Sequence, residues 1–370
     1  MLYRVSQPHI GVDERRLVYE AINEGMISHV GKNVEHFENA MAKVHKMKYA
    51  VSCNSGTNAL HIALEALGIK KGDEVIVPEF TMIATAYAVS YVGATPVFVD
   101  CGEGLNIDTS LIEEKITPRT RAIIPVHIYG RQCNMEHIME IAKKHKLFVV
   151  EDCAEAHGII PQGDIACYSF FANKIITTGE GGMCLTNRVR YRDRLVRQAN
   201  MAFDPQHTFL HTVVAHNYRM TNLQASVGLG QTLHIHETLY KRKLIEKWYN
   251  DMLPRRIQMP KREVLWMYDI ILDSEEERDG LTAFLKNQKI ETRLFFKPMS
   301  MQPPYRGEYK HLKAYDFSRR GMYLPTYTDL TIGDVVYICD AVFRYFQPNR
   351  DSRGHRFSLQ DELNELSSQG

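Results

Sequence analysis

The chain has 370 residues, 44% of them hydrophobic and 24% charged, enough for a sizeable core and two domains. Its 45 basic residues nearly cancel its 44 acidic ones, so no strong field of either sign is available to bind nucleic acid or an acidic membrane wholesale. Seven scattered cysteines with no C-x-x-C pair argue against a disulfide framework or zinc ribbon, and the start "MLYRVSQPHIG" has no apolar leader, so a cytoplasmic location is expected.

In chain order, "YAVSC", "EVIVP", "TPVFVD", "AIIPVHI" and "LFVVED" read as short β-strands. Between them "TNALHIALEALG" and "NMEHIMEIAKKH" carry apolar residues at helical spacing, the first closed by Gly68 and the second capped by Asn134. "IACYSFF" and "GMCLTN" add two strands, and a helix-rich stretch runs from about Arg190 through "TNLQASVGLGQTLHIHETLYKRKLIEKWYN". After Pro254 come "VLWMYDIIL", a charged helix "SEEERDGLTAFLKNQ" and a last helix "IGDVVYICDAVFRYF". The expected fold class is α/β: a large domain over residues 1–235 with a mixed, mostly parallel sheet, a smaller C-terminal α+β domain over 236–346, and a polar tail over 347–370.

Four stretches could carry chemistry. "SCNSGTNAL" leaves a strand, turns on Gly56 and opens a helix near Thr57, which suits either a phosphate seat or simple helix capping. "LFVVEDCAEAHG" puts Asp152 at a strand end, where an acid can hold a cationic ring nitrogen or simply cap the next turn of the chain. "FFANKIITTGEGG" sets Lys174 in apolar surroundings, either as a neutral amine able to attack a carbonyl or as the partner of Glu180 or Asp152. "HNYRMTN" offers Asn217 and Arg219, for which a structural role is the plain reading. Cys153, His157 and Cys167 lie close in sequence but lack a fourth ligand, so no metal is expected. A phosphate seat, an acid and an amine together meet the needs of pyridoxal 5'-phosphate (PLP).

The motifs "NSGTNALHIAL", "GDEVIVP", "GATPVFVD", "VHIYG", "EDCAEAHG", "YSFFANKIITTGEGGM", "NYRMTN" and "ETRLFFKP" occur in order. From about Pro8 to Phe346 the chain resembles the DegT/DnrJ/EryC1/StrS sugar aminotransferases, fold-type I PLP enzymes, and within them the perosamine and viosamine synthase branch. The resemblance implies that Lys174 holds the cofactor as a Schiff base and Asp152 pairs with its ring nitrogen. Gly56, Thr57 and Ser169 would bind its phosphate, with Asn217 reaching in from a second subunit of a homodimer. Glu155 would lie near the ring hydroxyl and Met82 would stand where relatives place an aromatic over the ring. Ser28, Gly31, Arg293, Lys297 and Ser300 would meet the substrate; "KPMS" replaces the relatives' "Y-P-x-H", and "IIPQ" shortens a turn. The implied reaction is amination of a nucleotide-linked 4-keto-6-deoxyhexose, with glutamate as donor. The alternatives are a C3 aminotransferase, a PLP-dependent sugar dehydratase (which carries histidine in place of the lysine) and a non-catalytic sugar-binding protein. A G-x-G-x-x-G after an early strand is absent, against a dehydrogenase.

Overall fold

The structure, a computed structural model, describes residues 2–204, 206–207, 209–310 and 312–347, so the expected polar tail lies, beyond Gln347, outside the described residues. Seven strands form the main sheet: β1 (Tyr49–Cys53), β2 (Glu74–Pro78), β3 (Thr95–Val99), β4 (Thr120–Ile123), β5 (Phe148–Asp152), β6 (Ile165–Ser169) and β7 (Gly182–Thr186). Their spatial order is β1-β7-β6-β5-β4-β2-β3. Only β7 runs antiparallel to its neighbours; the other pairs are parallel, giving the mixed, mostly parallel sheet that the α/β reading expects.

β2, β6 and β7 are buried at every position, because helices cover both faces of the sheet. Val75 and Val77 pack with Leu60, Leu64, Leu67 and Leu195 from helices Gly56–Leu67 and Val189–Ala199. Ile76, between them, points the other way and packs with Met135, Ile138 and Ile141 of helix Met135–His145. Each such side chain stabilises the fold by about 1.5–3 kcal/mol. Gly68 closes the first helix in the left-handed conformation (φ 83°), and the Asn134 side chain accepts from His137 N–H at 3.2 Å, so both expected caps are in place.

A second, antiparallel sheet has the order β8-β10-β9, from β8 (Tyr268–Ile271), β9 (Arg293–Leu294) and β10 (Gly321–Leu324). Helices Ile235–Met252, Glu275–Asn287 and Ile332–Phe346 pack on it through Ile245, Leu281, Leu285, Ile338 and Val342. The first residues of the chain join this layer: Glu291 N–H donates to Tyr3 C=O (2.8 Å) and Thr326 N–H to Val5 C=O (2.9 Å). Buried Asp269 of β8 ties the layers together, accepting from Arg131 (2.8 Å) and from Arg262 (2.6 Å).

Several stretches depart from the expectation. "AIIPVHI" stops as a strand at Ile123, since Pro125 has no N–H to give a ladder. "VLWMYDIIL" is strand only over its Tyr268–Ile271 portion, because Trp266 leaves the sheet to meet the Lys174 turn. Among the described residues, the helix-rich stretch is interrupted between Ala199 and Asn222. Helices Val12–Asn23 and Lys32–Val44 had no counterpart among the predicted elements.

Candidate active site

β1, β5 and β6 point the same way, so Cys53, Asp152 and Ser169 end on one edge of the sheet, where ligands of open α/β sheets sit. Past β1, the Ser55 side chain caps helix Gly56–Leu67 by accepting from Asn58 N–H at 3.2 Å. Gly56 and Thr57 are then the first two helical residues, whose N–H groups have no intrahelical acceptor and sit at the positive end of the helix dipole. A Cβ on Gly56 would lie 2.6 Å from Ser169 Cβ, so glycine is what lets the helix start approach the Ser169 hydroxyl. The predicted phosphate seat, Gly56, Thr57 and Ser169, is therefore one place in space.

Asp152 is buried at the end of β5. Its carboxylate accepts from Thr85 Oγ1–H (2.9 Å) and Ala154 N–H (3.1 Å). Burial pushes its pKa up, against those donors and the positive charge of Lys174. An acid so placed gains from a cationic partner, as a protonated ring nitrogen would provide.

Lys174 sits where β6 turns back towards β7, its N–H donating to Phe171 C=O at 2.9 Å. Its side chain is only 12% exposed, and burial lowers its pKa, partly offset by Glu155 and Asp152. The amine lies 3.7 Å from Glu155 Oε1 and 4.1 Å from the centre of the Trp266 ring. The ion-pair alternative with Glu180 fails: Glu180 is exposed and its backbone carbonyl, not its carboxylate, accepts from Thr178 and Gln224. Glu155 accepts from Tyr129 N–H (2.8 Å), and burial raises its pKa to about 7 despite the nearby lysine. That combination keeps a proton within reach of the Lys174 amine at neutral pH.

Three contributors escaped the sequence reading. Thr85, on helix Ala84–Tyr91, orients Asp152 from 67 positions away. Trp266 donates its indole N–H to Asn173 C=O (2.8 Å) and lays its ring against the Lys174 amine. Tyr129, in the left-handed region (φ 53°), aims its N–H at Glu155 while Gly130 (φ 85°) comes next, where a Cβ would strike the Val264 carbonyl at 1.9 Å. The "YG" of "VHIYG" signalled this tight turn; nothing local marked the other two.

A buried amine, an acid whose burial is only partly offset by its donors and a helix start opened by glycine suit PLP by their chemistry. A family model for the DegT/DnrJ/EryC1/StrS aminotransferase family matches residues 8–343. The chain belongs to this family. Over 356 residues it is 40% identical to a GDP-perosamine synthase of Escherichia coli O157:H7, covering 92% of this chain and 98% of the relative. It is 42% identical over 357 residues to one of Caulobacter vibrioides, covering 90% and 95%. The PLP form of Spr1654 from Streptococcus pneumoniae superposes with a TM-score of 0.88 at 25% identity, covering 95% of this chain and all of that one. The protein is thus an aminotransferase with PLP as its cofactor.

The remaining predicted residues of this family member make contacts of their own. Ser28 C=O accepts from Asn222 N–H (2.7 Å), and Gly31 is pressed onto the Asn222 side chain, where a Cβ would come within 2.0 Å of its Cγ. Asn217 is exposed and accepts from Arg219 Nε–H at 2.9 Å. Met82 is 53% exposed. Arg293 and Lys297 are exposed, whereas Ser300 is buried with its N–H on Glu79 Oε1 at 2.6 Å. The shortened "IIPQ" turn leads into Gln162 and Gly163 N–H groups that both donate to buried Glu151. Cys153, His157 and Cys167 form no metal-ligand group among the described residues. Glu151, with His127 at 3.0 Å, belongs to a buried hydrogen-bonded network in which His127 Nδ1 accepts from Cys133 N–H. A cavity of about 490 Å³ is lined by Lys174, Ile175 and Thr177 together with His9 and Arg242, but by none of the phosphate-seat residues. No helix of the described residues is long and apolar enough to cross a membrane.

Proposed function

We propose that this aminotransferase places an amino group on C4 of a GDP-linked 4-keto-6-deoxyhexose, with glutamate as donor, yielding a perosamine-type sugar nucleotide. The observation that carries the reading is its likeness, along nine-tenths or more of its length, to two proteins named GDP-perosamine synthases. PLP, when bound, supplies the electron sink through which an amino group passes from donor to acceptor. In this reading Gly56, Thr57 and Ser169 hold the phosphate, Asp152 holds the ring nitrogen, and Met82 packs beside the ring. The Lys174 Nζ, its pKa lowered by burial, takes and returns the proton at the reacting carbon, with Glu155 as its near neighbour. Asn217 completes the phosphate seat of a second copy in a homodimer. Ser28, Gly31, Arg293, Lys297 and Ser300 contact the sugar nucleotide, the two cations facing its diphosphate.

The test offers GDP-, UDP- and dTDP-4-keto-6-deoxyhexoses with glutamate and follows amino-sugar formation by mass. Amination of the GDP-linked sugar with the highest kcat/KM is expected. Preference for another nucleotide refutes the GDP assignment, and amination of a 3-keto sugar alone refutes the C4 assignment.

A further inference from the structure

Away from the cofactor site, His61, Glu65 and His216 bring three ligand atoms within 4.8 Å of one another. We propose that these residues bind a divalent transition-metal ion, with Zn2+ the best fit and water completing its coordination.

Two imidazoles and one carboxylate suit Zn2+, whereas Mg2+ and Ca2+ call for oxygen ligands throughout. His216 Nε2 lies 2.9 Å from Glu65 Oε2, and His61 Nε2 lies 3.7 Å from Glu65 Oε1. Ligands about 2.0–2.1 Å from a tetrahedral ion sit roughly 3.3–3.4 Å apart. The two separations straddle that spacing, so small side-chain rotations close the set.

The ligands are also held in advance. His61 and Glu65 are four residues apart on helix Gly56–Leu67 and so share a face. His216 is pinned through its backbone, its N–H on Gln198 C=O (2.9 Å) and its C=O taking Met201 N–H (2.8 Å). Its ring stacks on Tyr218 at 4.5 Å and 9°. Tyr218 Oη lies 3.3 Å from His61 Nδ1, so in the tautomer that carries its proton on Nδ1 the ring donates to the hydroxyl and leaves the Nε2 lone pair for the ion. Such an outer hydrogen bond is what orients a ligating histidine. The Glu65 and His216 side chains, each 23% exposed, leave a path for the ion and its water.

The consequence is mechanical. His216 precedes Asn217, and Glu65 lies on the helix that opens with Gly56 and Thr57. An ion here fastens His216 and the adjoining Asn217 to the helix of the phosphate seat.

The test uses tag-free, PLP-loaded protein equilibrated with Zn2+ and then freed of excess, with metal counted per chain and Co2+ absorption as a second probe. One ion per chain is expected. His216→Ala and the shape-preserving Glu65→Gln should each weaken binding beyond the roughly 10–100-fold typical of outer-shell changes, while Tyr218→Phe should fall within that range. Wild-type protein that retains no more metal than His216→Ala overturns the proposal. So does a Glu65→Gln variant that binds as tightly as wild type, or an ion lost only when Cys153 of the buried His127–Glu151–Cys153 group is changed to Ser.

Discussion

Replacing Gly56 by alanine tests the phosphate seat through one carbon atom. The added Cβ would stand 2.6 Å from Ser169 Cβ, 3.0 Å from its hydroxyl and 3.2 Å from its Cα. Ordinary contact is about 3.5 Å or more, so the helix start and β6 must separate by roughly 1 Å. Neither side has slack. Ser169 pairs with Gly182 of β7, and a Cβ on Gly182 would itself lie 2.2 Å from Ser55 C=O, so the strands already touch the helix cap. Overpacking of this kind costs about 1–3 kcal/mol of stability. The same movement pulls the Ser169 hydroxyl away from the Gly56 and Thr57 amides. Losing one hydrogen bond to a charged phosphate costs about 1.5–3 kcal/mol, or roughly 10–150-fold in cofactor affinity. The assays are urea unfolding of cofactor-free protein and absorbance titration with PLP. A variant matching wild type within about 0.5 kcal/mol and twofold in affinity would refute both the close approach and the shared seat.

Lys174→Ala should abolish the visible chromophore and the turnover of PLP-loaded protein; a wild type that stays colourless after PLP addition would sink the cofactor assignment of Lys174. Asp152→Asn keeps an oxygen for the Ala154 N–H, turns its NH2 towards the Thr85 hydroxyl, which can accept from it, and removes the charge, so kcat should fall about 100-fold or more, at least about 2.7 kcal/mol on the barrier, with the fold intact by circular dichroism. Asp269→Leu strands Arg131 and Arg262 without their shared buried acid, for a loss of about 3–5 kcal/mol in denaturant unfolding. The two arginines hold the folded pKa of Asp269 below its usual value. Its contribution is therefore full above the unfolded pKa near 3.8 and shrinks as pH falls below it, so the wild-type advantage over Asp269→Leu should narrow in acid.

The main sheet was legible because its strands are short apolar runs buried on both faces, a pattern local to each run. Helix Val12–Asn23 was not, since its buried residues are Leu17, Ala21 and the charged Glu14, whose carboxylate accepts from Gly11 N–H and Gln231 instead of packing in a core. β9, two residues long, carries no periodicity to read. In the site, Gly56, Asp152 and Lys174 stood out because each sits at a strand end or turn with a chemistry of its own. Trp266 reads locally as one more apolar residue, and only the contact with Asn173, 93 positions away, gives it a role. The same holds for His216 and Glu65, 151 positions apart.

If Ser300 and Met82 meet substrate and cofactor as proposed, substrate choice rests on two segments that the fold fastens together. Met299 and Ser300 both dock on Glu79, the first through its N–H on the Glu79 carbonyl (2.9 Å) and the second on the carboxylate (2.6 Å). Glu79 comes directly after β2 and lies three residues before Met82, so the "KPMS" turn and the residue expected beside the cofactor ring share one anchor. Burial raises the pKa of Glu79, a penalty offset by the Ser300 donors. With Ser300 itself 7% exposed, an imidazole in its place has no room beside Glu79 unless the turn is released. Placing a histidine there by Ser300→His should therefore disturb Met82 as well, raising KM for the sugar nucleotide and weakening PLP binding together. If KM changes while PLP affinity stays at the wild-type value, the two segments are independent and the shared anchor does not govern specificity.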